Sequence, residues 1–107
     1  MFATDDTIVA IATPAGRGGV GVVRLSGPRA VAIAAGLTGR VTFEPRHATF
    51  ARLSSGGHVI DHAVVTAFPA PHSYTGDDVV EISAHGSPVQ LERVIALAMG
   101  AGARSEE

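Results

Sequence analysis

The stretch Ala12–Pro28, ATPAGRGGVGVVRLSGP, decides between two folds. Within it Gly16, Gly18 and Gly21 carry the G-x-G-x-x-G spacing of a dinucleotide-binding turn, directly after the strand-like run TIVAIA (Thr7–Ala12). In such a turn the glycines open a helix, whose first amides meet a pyrophosphate. Here Val20, Val22, Arg24 and Ser26 alternate with Gly21, Val23 and Leu25, and a period of two belongs to a strand. The acidic residue expected about twenty positions on, to hold a ribose, would be Glu44, in the loop-like FEPRH. The motif therefore fails in context. Its glycines read as a tight strand-to-strand connection, with Arg17 at the tip as the one side chain able to face a ligand.

Outward from this stretch, GPRAVAIAAGLTG has proline just inside its start and glycines at its end, the punctuation of a helix. RHATFARL and HVIDHAVVTAF flank SSGG as a β-hairpin, FPAPHSYTG is a loop, and DDVVEISAH is another strand. Ser87 caps a last helix with Pro88 at its first position. Leu91, Val94, Ile95 and Ala98 form that helix's apolar stripe, while Gln90, Glu92 and Arg93 face away. The order β-loop-β-α-β-β-loop-β-α predicts a single α+β domain over residues 1–107, with a mixed sheet of about five strands and two or three helices.

Composition narrows the chemistry. A chain of 107 residues, 46% hydrophobic and 17% charged, is long enough for one real core. It has no cysteine, hence no disulfide, thiolate zinc site or cysteine nucleophile. All eight basic residues are arginine, so a phosphate-binding P-loop and a Schiff-base lysine are both excluded. A net charge of −2 argues against a domain that holds nucleic acid mainly through phosphates. No window approaches the ~20 apolar residues of a membrane span, and MFATDDTIVAIATP lacks a signal peptide's positive start. A cytoplasmic domain without membrane contact is expected. The ending LAMGAGARSEE stops just past a helix, which suggests a piece of a longer polypeptide.

Two strands carry a charge at their centre. Arg24 shares a face with Val20, Val22 and Ser26, and Glu81 with Val79, Ser83 and His85; the opposite faces are wholly apolar. An exposed cross-strand ion pair explains this, and contributes under about 1 kcal/mol. So does a ligand platform. A carboxylate accepts two parallel N–H bonds from an amidine-like edge such as a pterin's, and a guanidinium holds a carboxylate or carbonyl bidentately. His58, Asp61 and His62 imitate a metal motif, but on a strand the two histidines stand about 13 Å apart and Asp61 points the other way. His85 reads as a ligand contact, a buried turn histidine or a surface group, and the readings without a ligand are preferred. No Ser/His/Asp triad can be assembled.

The blocks DTIVAIATPAGRGGVGVVRLSGP, PRHATF, FPAPHSYTGDDVVEISAHGSPVQL and the closing GAR run in order over essentially the whole chain. They resemble the N-terminal domain of the MnmE (TrmE) family of tRNA-modification GTPases. The resemblance implies a folate-binding and dimerisation domain, similar in fold to the folate-binding domain of aminomethyltransferases. It implies a bound 5-formyltetrahydrofolate or related reduced folate, and a homodimer. On the family's pattern the folate-contacting arginine falls on Arg24 and the pterin-contacting glutamate on Glu81. A further folate-contacting lysine of the family falls beyond Glu107. GTP, Mg and K would belong to a GTP-binding domain outside this stretch, and no catalytic residue or metal site is expected within it. The full-length protein would act with the flavoprotein MnmG (GidA) on the wobble uridine of tRNA, at carbon five. His72, Asp77 and Ser87 depart from the family's usual asparagine, glutamate and glycine.

Overall fold

The computed structural model describes residues 6–12, 20–71, 76–85 and 87–105. β1 is Ile8–Ile11 and β2 is Val20–Ser26, the alternating run that excluded a helix after the glycines. Gly16, Arg17 and Gly18 lie outside the described residues. α1 spans Ala30–Thr38 and ends on Gly39, whose left-handed φ of 71° lets its N–H return to the Ala35 carbonyl. Pro28 sits in the turn before Arg29, the residue at the helix's start, rather than inside the helix.

β3 (Thr49–Ser55) and β4 (His58–Phe68) form the expected hairpin around Gly56 and Gly57, both at positive φ. β5 is Val79–His85, and α2 is Pro88–Gly100. Ser87 caps α2 as expected: its Oγ accepts from the Gln90 N–H at 3.1 Å. One element escaped the sequence reading. β6, Arg104–Ser105, pairs parallel with Ile8 and Val9 and makes the sheet mixed and six-stranded.

The strand order is β3-β4-β5-β2-β1-β6. Every pairing but β1 with β6 is antiparallel. Both helices pack on the same side of the sheet. Val9, Val23, Leu25, Leu53, Val65, Val80 and Ile82 point there with no exposed surface and meet Ala30, Ala34, Val94 and Ala98. Burying each Val, Leu or Ile contributes about 1.5–3 kcal/mol, so this one face supplies the cohesion of the domain. Gln90 was expected to face away from the core; its Nε2 instead donates to the Ile60 carbonyl at 3.0 Å, tying α2 to β4. The other side of the sheet carries no helix among the described residues. Among the described residues, this two-layer α+β domain thus keeps one sheet face open.

Candidate functional site

Strand register arranges the open face in rows. Arg24 stands between Ala10 and Glu81, and Thr66 follows on β4. The next row is Val22, Ser83, Val64 and Phe50. Beyond it, Val20 pairs with His85 and His62 pairs with Arg52. The two mid-strand charges therefore share one face, because each lies an even number of residues from its strand's other open-face positions.

Arg24 Nη2 donates to Glu81 Oε2 at 2.8 Å, and Arg24 Nε donates to the same oxygen at 3.2 Å. Each side chain keeps 30% of its surface exposed. A half-exposed pair of this kind contributes under about 1 kcal/mol, too little to explain a charge in mid-sheet by stability. Two donors fill Oε2, while Oε1 accepts nothing from the described residues. A ligand with two parallel N–H groups would take Oε1 and displace one Arg24 bond, the longer being the weaker.

The histidines behave differently from one another. His58 lies exposed at the start of β4, and no group of three metal-binding side chains occurs among the described residues. Asp61 does point away from His62, as strand periodicity requires, and is buried on the helix side. There Oδ1 accepts the His62 N–H at 2.8 Å and approaches His85 Nδ1 at 2.6 Å, while Oδ2 accepts the His85 N–H at 3.3 Å. The His85 ring remains 72% exposed. This dyad was not legible beforehand, since His85 and Asp61 sit on different strands 24 residues apart. The nearest signal was Asp61 itself, an acid at a core-facing position of a strand.

His62 stacks on Phe50, ring centroids 5.6 Å apart and planes 12° from parallel. Val20, Phe50, His62, Val64, Ser83 and His85 line a shallow depression of about 160 Å³ beside the Arg24–Glu81 row. Neither charged residue lines it. His72 lies outside the described residues; Asp77 is exposed in the loop before β5.

Burial alone would raise the Asp61 carboxyl, but the His85 side chain, the N–H groups of His62 and His85 and the charge of His85 together hold it below 3.8. A lowered native value means the unfolded chain binds the extra proton. The stabilisation is present above pH 3.8 and is lost as pH falls through the lower native value. Asp61→Asn should cost about 1–3 kcal/mol at neutral pH, and the gap to the parent should close in acid. Urea melts at pH 7, 5 and 3 check it; a constant gap would contradict this account.

No helix among the described residues is long and apolar enough to cross a membrane. The family described as "GTP-binding protein TrmE N-terminus" matches residues 7–107. Proteins named tRNA modification GTPase MnmE are similar in sequence. That of Legionella pneumophila (strain Paris) is 57% identical over 100 residues, 92% of this chain and 22% of the relative. That of Xanthomonas campestris pv. campestris (strain B100) is 53% identical over 105 residues, 97% of this chain and 23% of the relative. The one from Francisella tularensis subsp. novicida (strain U112) is 54% identical over 101 residues, 94% of this chain and 22% of the relative. The chain thus spans under a quarter of the length of these relatives. With a family match over nearly its full length, this chain belongs to the TrmE N-terminal domain family.

Proposed function

We propose that this chain is the folate-binding and dimerising module of a cytoplasmic GTPase that, with MnmG, modifies the wobble uridine of tRNA at carbon five. Arg24 and Glu81 hold the pterin end of 5-formyltetrahydrofolate or a related reduced folate. The observation that carries the reading is the half-exposed Arg24–Glu81 pair, with one carboxylate oxygen unbonded among the described residues, beside a mostly apolar strip of Val22, Ser83, Val64 and Phe50. Such a strip suits the faces of a flat heterocycle, while the carboxylate reads its edge. Glu81 supplies the acceptor; Arg24, once displaced from Oε2, turns to a carbonyl of the ligand. No proton transfer is assigned to either residue.

Calorimetric titration of 5-formyltetrahydrofolate into this chain tests the assignment. Glu81→Ala and Arg24→Ala should each weaken binding about ten- to hundredfold, the effect of losing one charge-assisted hydrogen bond. Equal affinity in all three proteins would remove both residues from the site.

A second reading has its own support in the exposed apolar side chains Val20, Phe50 and Val64 on the open face. On it a second copy covers this face and the domain only assembles. Folate-independent dimers in sedimentation, with no heat of folate binding, would favour that reading.

A further inference from the structure

The outermost row of the open face differs in charge from the rows beside it. His62 on β4 pairs with Arg52 on β3, His85 ends β5 opposite Val20, and both histidines line the depression. Asp61 is buried, its oxygens turned to the His85 ring and to the backbone N–H groups of His62 and His85. No described residue forms an ion pair with Arg52 or His62. With Nδ1 held against the Asp61 carboxylate, the ring of His85 is fixed in orientation and Nε2 is left for solvent or a ligand. Phe50 and His62, stacked, wall the depression between this row and the next.

We infer that this row is the subsite for the two carboxylates of the folate's glutamyl tail, an inference that rests on the folate reading above. The face matches the ligand's polarity from end to end. A reduced folate is a neutral hydrogen-bonding pterin, an aromatic spacer and a doubly anionic tail. The sheet offers a carboxylate and guanidinium at Glu81 and Arg24, then Val22, Ser83, Val64 and Phe50, then Arg52 with two histidines. From Glu81 to His85 is four residues of one strand, about 13 Å at 3.3 Å per residue. That span suits an extended spacer. Arg52 supplies permanent charge, and His85 in its protonated form presents Nε2–H in a direction that Asp61 sets.

The test compares two ligands: 5-formyltetrahydrofolate, and the same molecule with both glutamyl carboxylates converted to carboxamides. The parent chain should prefer the free acid about five- to tenfold at pH 6, the effect of exposed ionic contacts. His85→Gln and Arg52→Gln alter exposed side chains, so thermal melts should confirm the fold, and each should cut that preference by half or more. Glu81→Ala should weaken both ligands alike and leave their ratio unchanged. Equal binding of acid and diamide by the parent chain would overturn the subsite while leaving the folate reading intact. Binding of neither ligand would overturn both.

Discussion

Gly27→Ala is expected to remove about 3–5 kcal/mol of stability, summing a forbidden backbone conformation and a steric clash. Gly27 sits at φ 140°, where the chain leaves β2 and turns toward α1. A methyl group there would stand 2.5 Å from the Asp6 carbonyl oxygen, 2.7 Å from Thr7 Cα and 2.8 Å from Thr7 Oγ1. Two of these are main-chain atoms of the segment entering β1, so no rotamer change relieves the contact. The same segment is held from other directions. Thr7 Oγ1 accepts the Arg29 N–H at 2.9 Å, and the Thr7 carbonyl accepts the Arg104 N–H at 2.8 Å. Moving it aside would break the α1 entry and β6 together. Gly39→Ala is the control: its φ is also positive, at 71°, but nothing lies within 4 Å, so about 1–2 kcal/mol is expected. Urea melts followed by circular dichroism measure both; a Gly27 loss no larger than the Gly39 loss would contradict the clash.

Neighbouring residues of β5 should separate stability from binding. Ile82 has no exposed surface, pairs with Val23 on one side and Val65 on the other, and faces the helices. Ile82→Ala should cost about 2–5 kcal/mol through lost burial and the cavity left behind. That corresponds to a fall of about 10 °C or more in Tm for a domain of this size. Glu81→Ala, one residue away on the open face, should change stability by less than about 1 kcal/mol while removing most of the folate affinity. Scanning calorimetry and titration on the two variants check this. If Glu81→Ala unfolds the domain as Ile82→Ala does, the charge in mid-sheet is structural.

The open-face pattern was legible because a strand's side chains alternate strictly: Arg24 and Glu81 each had an apolar opposite face, and two such faces join on one core. The helices were legible from their punctuation, with Ser87 and Gly39 acting as expected. β6 was not, since two residues, Arg104 and Ser105, carry no periodicity and owe their strand form to β1 alongside. The Asp61–His85 dyad stayed hidden for a similar reason. Periodicity assigns a face to each residue but does not say which ends of separate strands meet. Gln90 illustrates the remaining gap: a polar residue at the edge of an apolar stripe reads as solvent-facing until a neighbouring carbonyl, here that of Ile60, comes within reach.

The strand order also dictates how the molecule must assemble in time. β3 and β4 are joined by two glycines and can zip together within microseconds. β5 then has to insert between β4 and β2, bringing together residues 57 positions apart at Arg24 and Glu81. Closing so long a loop carries an entropy penalty before any contact repays it, and slows the rate toward the millisecond-to-second class of non-local topologies. A nascent polypeptide lacking Val79–His85 therefore lacks the strand that joins β4 to β2, and the guanidinium on β2 acquires its carboxylate in the docking step that completes the sheet.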